Sequence, residues 1–364
     1  MEWFNLEGEG IKFLLQDNVL AVLSDFPLQT VSSAFHNGGG IKPTRIILNI
    51  EVPKGYLNSI LHMDPEALIN ETRKKMGINE YFVAMITAAC VKNYAAASKR
   101  EDGIGVSVIA TAADDDGHTC DHAESAGEEI HAQVLDPGTI NIIVIIDANP
   151  TESCFVSAII TATEAKTAAM MELDIRSRYS GELATGTITD AIACAHTGRG
   201  ELILFGGPAS KLGQLVASCT RQAVKEAIMK GRECSPVRSL FGRLRARHLS
   251  VDKIAEELSK VKSLQMDKSE LVCLLIDDIR QNPSFAALLL AAIKLDDDVA
   301  TGLVPPEFRD ITQLSSEIAT IVGESSSSKP LQVSEEELAQ VNLPIFLKRG
   351  LLAMLQNKRW AREN

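Results

Sequence analysis

The chain has 364 residues, 45% of them hydrophobic and 23% charged, with a formal net charge of −12. That length exceeds what one hydrophobic core usually supports and predicts two domains. The charge opposes binding to nucleic acid or anionic membranes, and seven cysteines scattered without a CxxC pair point to a reduced cytoplasmic protein, not a disulfide framework.

The first residues include Glu2 and Glu7 and lack a basic segment followed by a long apolar run, so no signal peptide is expected. The apolar stretch 285–293 is too short to span a bilayer. Runs rich in β-branched residues predict strands over 13–23, 45–52, 81–88, 105–112 and 139–147. Several are apolar on consecutive positions, which implies strands covered on both faces. Asp64-Pro65 opens a helix that Gly77 closes; further helices are expected from near Thr151 to Leu173 and from Lys211 to Lys230. Beyond 230–240 helical patterns dominate. Asp267 with Glu270 and Ser334 with Glu337 mark helix starts, 325–330 reads as a joint, and four or five helices are expected over 240–364. The fold expectation is an α+β, layered α/β domain over 1–232, followed by a small all-α domain over 233–364.

Between β-like runs lie polar blocks. Ser32-Ser33-Ala34, Asn37 with Gly38-Gly39-Gly40, and Asn49 form the first. Glycines let a backbone approach a ligand, and they equally serve a tight structural loop. The spacing matches no nucleotide fingerprint. From Glu101 to Asp136 there are ten acidic residues and no Lys or Arg, together with His118, Cys120, His122 and His131. Asp114 to Asp116 with His118 and His122 supply atoms that suit a metal, yet no HExxH or paired Cys/His spacing is present, so no metal is expected. A solvated acidic loop explains the run, and attraction of a cationic substrate is the functional alternative.

Thr139 and Asn141 share one face of a strand, where small polar groups suit an amide or its oxyanion; a turn entering a core strand explains them equally. Thr163, Lys166 and Thr167 share a helix face and Glu164 points elsewhere. An acid and an amine among alanines and methionines are candidates for useful proton chemistry. Thr185, Thr187 and Asp190 lie within six residues, so Thr187 is a conceivable hydroxyl nucleophile with Asp190 as its base, and a helix cap is the plainer account. His196 follows closely and reads as a surface residue. No Gly-x-Ser-x-Gly elbow is present.

Together, SSA…GGG…ILN, MITAA, GTINIIV, ATEAKTAA and ATGTITDA, followed by LGQLVASCTRQAV, resemble the shared patches of the adenosylcobinamide amidohydrolase family over residues 32–231. The resemblance implies a corrinoid-salvage enzyme that cleaves adenosylcobinamide to adenosylcobyric acid and aminopropanol, with cobalt carried by the substrate and no cofactor of its own. It implies catalytic candidates Glu164, Lys166, Asn141, Thr187 and Asp190. Substrate contacts would come from Ser33, Asn37, Gly38, Gly39, Gly40, Asn49, Thr87, Thr111, His122, Thr139, Thr163 and Thr185. In the expected mechanism Glu164 activates water or a threonine hydroxyl, Asn141 helps hold the oxyanion, and Lys166 stabilises charge or protonates the leaving amine; in a variant, Thr187 or Thr139 is the nucleophile. One patch departs from the family pattern, with Asp114 to Asp116 after the alanines, His122 in place of an asparagine and Glu128 in place of the acid. That departure motivates an alternative, a non-enzymatic corrinoid binder or sensor signalling through the helical tail. The tail is not covered by the resemblance. A basic stretch from Cys219 to His248, with eight Lys/Arg against two acids, suits an intersubunit or interdomain contact, leaving a homo-oligomer open.

Overall fold

Two polar residues, Asp17 and Asn18, split the first apolar run. In the computed structural model β1 (Glu2–Asn5) pairs with β2 (Ile11–Gln16), which turns there into β3 (Val19–Ser32). The strand expected over 13–23 is therefore a hairpin; Asp17 takes φ 51°, a left-handed conformation that Asp tolerates better than most residues. The structure describes residues 2–6, 8–53, 64–113, 119–120, 139–177, 179–187, 189–231, 240–303 and 333–363. Asp114 to Asp116, His118, His122, Glu128, His131, Ile188 and the expected joint at 325–330 lie outside them. The chain divides into two units, Met1–Val237 and Arg238–Asn364.

In the first unit β4 (Gly39–Glu51) starts before the expected residue 45, because its first half pairs with the second half of β3, past a bulge between Leu23 and Leu28. Among the described residues that half of β4 has no strand on its other side, which is where Pro43, lacking an N–H, is tolerated. Asp64 accepts the Ala67 N–H at 3.1 Å to start α1 (Pro65–Lys75), and Gly77 at φ 66° follows its end, as the sequence predicts. Next come β5 (Val83–Thr87), parallel to β4, and the hairpin of β6 (Ala95–Glu101) and β7 (Ile104–Ala113). After β8 (Thr119–Cys120), β9 (Thr139–Asp147) runs antiparallel to β7. Short β10 (Asn149–Pro150) precedes α2 (Glu152–Glu172), whose first turn is capped by the Thr151 hydroxyl. Then β11 (Gly186–Thr187) pairs with β8, and β12 (Ala191–His196) lies between β9, parallel, and β3, antiparallel. β13 (Leu202–Ile203) and α3 (Lys211–Gly231) complete the described part of this unit.

The β3–β4 bend doubles one nine-stranded sheet over on itself, giving four layers. Leu68 and Ile69 of α1 pack with Leu48, Ile50 and Ala84 on one outer face. Phe13, Leu20, Ile47 and Met85 meet Ile109, Ile143, Ile145 and Ala193 between the sheet halves. The even-numbered β9 residues Ile140 to Ile146 turn the other way, onto Phe155 and Ala162 of α2 and Val216 and Ala223 of α3. Period-two alternation on a strand covered on both sides explains why β9 is apolar almost throughout. The first unit is thus a layered α+β domain, and no helix among the described residues is long and apolar enough to cross a membrane.

The described residues of the second unit are all α. Six helices are described where four or five were expected: α4 (Leu240–Arg245), α5 (Val251–Leu258), α6 (Lys268–Gln281), α7 (Pro283–Ala300), α8 (Glu335–Gln340) and α9 (Ile345–Glu363). Their core includes Leu271, Leu275, Phe285, Leu289, Leu347 and Leu351. Asp267 and Glu270 form the full reciprocal cap. Ser334 caps α8, but Glu337 turns instead to the backbone N–H and hydroxyl of Ser263, at 3.0 and 2.9 Å.

Half-buried Asp296 accepts the Phe346 and Leu347 N–H groups at the start of α9, both at 2.9 Å. Burial pushes its pKa up, to about 6. The folded chain then holds the Asp296 proton to higher pH than the unfolded chain, so this group's contribution to stability declines as pH rises from about 4 to 6. Asp296→Asn does not titrate. Its stability relative to wild type is expected to be poorest near pH 4 and to improve up to pH 7. Denaturant titrations across that range check this, and a pH-independent difference would contradict it.

Candidate active site

α2 is apolar on most sides, with Phe155, Ala158, Ala162, Ala165, Ala169 and Met170 buried. Lys166 sits within that buried set, and a lysine there needs a counter-charge. It finds Asp190, immediately before β12: Lys166 Nζ donates to Asp190 Oδ2, with the two side chains 11% and 17% exposed. The same carboxylate accepts the Thr187 hydroxyl at Oδ1, the Thr187 N–H at 3.1 Å and the N–H of Ile140, the second residue of β9, at 3.0 Å. Two further hydroxyls fix the loop, Thr139 donating to Thr189 O at 3.1 Å and Thr167 to Thr185 O at 2.9 Å. A helix, a strand start and a short ladder strand thus converge on one carboxylate. Thr187 itself is only half-buried. A hydroxyl pointed at a carboxylate that a third group holds in place is the arrangement that activates a nucleophile.

The structure brings Lys166, Thr187 and Asp190 together and sends the other catalytic candidates elsewhere. Glu164 is exposed and lines a groove of about 880 Å³ between α2 and α3, with Glu172, Arg221 and Lys225. Two residues along a helix is a rotation of about 200°, so Glu164 and Lys166 face opposite ways. Asn141 is buried between the sheet halves, its Nδ2 donating to Asn49 Oδ1 at 2.8 Å and Ile86 O at 2.9 Å. Both amide protons are used, which removes the oxyanion role expected of it.

Several expected substrate contacts are core polar groups. Asn49 Nδ2 donates to Thr111 Oγ1 at 2.8 Å, and Thr87 Oγ1 accepts the Ala89 N–H at 3.0 Å; all four residues are buried. Thr139, the alternative nucleophile, is fully buried, with its hydroxyl turned to Thr189 O and not to a carboxylate. Thr163 is exposed and donates to Ile159 O of its own helix, and Thr185 is exposed beside the cluster. Ser33 bonds Ile192 twice, through its N–H at 2.9 Å and its Oγ at 3.0 Å, tying the glycine loop to the strand that follows Asp190.

In that loop Asn37 Nδ2 donates to Phe82 O at 2.9 Å. A Cβ on Gly38 would lie 2.2 Å from Ala34 O, and Gly39 takes φ 106°. Those two glycines serve the chain reversal from β3 to β4, whereas Gly40 is exposed with open space around it. His196 is buried, not on the surface as expected, with the Phe155 ring edge-on at 4.7 Å. Burial holds its pKa below the ordinary histidine value. It ends β12, away from Asp190. Among the described residues no group of three or more His, Cys, Asp or Glu is placed to hold a metal.

Comparison with known proteins bears on what this cluster serves. The chain is 31% identical over 206 residues to an uncharacterised protein of Methanocaldococcus jannaschii, covering 52% of this chain and 79% of that one. It is 29% identical over 226 residues to the adenosylcobinamide amidohydrolase of Methanosarcina mazei, covering 61% and 95%. Likeness to solved structures is slight: a Burkholderia β-aminopeptidase aligns with a TM-score of 0.32 and 13% identity, covering 68% of this chain and 90% of that one. The profile of the adenosylcobinamide amidohydrolases matches residues 7–236, which span every element that builds the Thr187–Asp190–Lys166 cluster, and the chain belongs to that family.

Proposed function

We propose that this chain hydrolyses the amide joining aminopropanol to the corrinoid of adenosylcobinamide, releasing adenosylcobyric acid in corrinoid salvage. Family membership and the Methanosarcina mazei relative support the substrate. The observation that carries the chemistry is the Thr187 hydroxyl donating to Asp190 while Lys166 donates to the other carboxylate oxygen.

Thr187 Oγ attacks the amide carbonyl carbon as its proton passes to Asp190. The C–N bond then breaks, and the departing nitrogen takes that proton and leaves as the amine. Water attacks the resulting ester of Thr187, giving a proton to Asp190 that returns to the threonine oxygen as the acid departs. Amide and water become carboxylic acid and amine. Lys166 keeps Asp190 aimed at the hydroxyl and opposes the negative charge that develops beside it. Cobalt arrives as part of the substrate, and the chemistry asks for no metal from the protein.

Mass spectrometry of the purified chain incubated with adenosylcobinamide tests this. Adenosylcobyric acid and aminopropanol in equal amounts are the expected products. A corrinoid recovered unchanged would refute the proposal.

A further inference from the structure

Gly186 stands one residue before Thr187 in β11, opposite Cys120 of β8. It is not among the glycines with positive φ, so backbone conformation does not demand glycine there. Space does. A Cβ on Gly186 would lie 2.7 Å from Asp190 Oδ2 and 2.9 Å from Lys166 Nζ, distances that real Cβ contacts essentially never show. Those are the two atoms that join in the ion pair. We infer that Gly186 is a positioning residue for the proposed hydrolysis: the missing side chain is what lets Lys166 and Asp190 meet against the strand that carries Thr187.

The inference rests on the hydrolase reading and extends it to a residue that touches no substrate. An added methyl group has two ways to gain room. It can shift β11, which is held by the β8 ladder, by Thr167 on Thr185 O and by Thr187 N–H on Asp190. Or it can push aside the ends of two side chains, Lys166 being the longer and more flexible. The second costs less, so the displacement falls on the ion pair and the backbone stays in place. Asp190, moved or turned, no longer points Oδ1 at the Thr187 hydroxyl. Gly186→Ala should therefore fold well and react poorly, whereas a glycine needed only for folding would show the reverse.

The test compares Gly186→Ala, Lys166→Met, the double variant and Gly207→Ala with wild type. A Cβ on Gly207 meets nothing within 4 Å, so this variant controls for glycine replacement as such. Gly186→Ala is expected to lose about 100-fold in kcat, the scale of a 1 Å misplacement, with KM changed by no more than about twofold. Its melting temperature should fall less than that of Asp190→Asn, because both members of the pair remain, and its crystal structure should show Lys166 and Asp190 parted. The double variant should be no slower than Lys166→Met alone, because both changes act through one pair. Gly207→Ala should keep full activity. Full kcat in Gly186→Ala, losses that multiply in the double variant, or an intact ion pair in the Gly186→Ala crystal would each overturn the inference while wild type still turns over. No product from wild type would instead overturn the hydrolase reading, and this role with it.

Discussion

Asp190→Asn is expected to lower kcat on adenosylcobinamide by about 10³-fold, within the range produced by loss of a general base. The carboxylate gathers the Thr187 hydroxyl, two backbone N–H groups and the Lys166 ammonium, so one substitution removes the proton acceptor and the counter-charge together. An asparagine oxygen can still accept from Thr187 but cannot take its proton. Lys166, 11% exposed, is left charged without a partner. Stripping one member from a largely buried pair costs about 3 kcal/mol of folding stability. The two losses separate experimentally, because steady-state rates corrected for folded fraction report the first and urea unfolding reports the second. A folded Asp190→Asn protein with kcat within threefold of wild type would show that the cluster is only a structural clamp.

The second large effect is on stability alone. Asn141→Leu deprives Asn49 Oδ1 of its donor and takes one hydrogen bond from Ile86 O, inside the doubled sheet. Leaving a buried acceptor unpaired costs about 1–3 kcal/mol. Part of this is returned, because Asn141 Oδ1 has no partner among the described residues and its removal relieves one buried polar atom. A net loss of about 2 kcal/mol corresponds to roughly 4–8 °C in melting temperature for a unit of this size. The rate per folded molecule should hardly change, since neither amide proton of Asn141 is available to an oxyanion. A hundredfold fall in kcat with an unchanged melting temperature would restore the oxyanion role and contradict the geometry.

What could be read in the sequence was local. Asp64-Pro65, Thr151, Asp267 with Glu270, and Ser334 announce their helices because a cap is chemistry within four residues. Thr187 and Asp190 were legible as a pair for the same reason. Lys166 joins Asp190 across 24 residues, and the α2 pattern says only that the lysine is surrounded by small apolar groups, not what it meets. The Thr and Asn residues of the strands misled for a different reason. A sheet that folds onto itself buries both faces, so Asn49, Thr87, Thr111 and Asn141 satisfy one another or nearby backbone inside the protein, and period-two alternation cannot tell that interior from a cleft. β6 reads AAASKRE, alanine and charge with helical propensity, yet pairing with β7 makes it an edge strand whose charged end faces solvent. Gly186 lies in the shared ATGTITDA patch, but its role was not legible, because the atoms that crowd it include Lys166 Nζ, 20 residues away in the chain.

The most direct test of the Thr187–Asp190–Lys166 account is product formation from adenosylcobinamide by Thr187→Ala and Thr187→Ser, measured beside wild type. Serine keeps the hydroxyl on the same carbon, Cβ, so Thr187→Ser should form adenosylcobyric acid at a rate comparable with wild type, and Thr187→Ala should form none above the uncatalysed background. Wild-type turnover by Thr187→Ala would contradict the account outright.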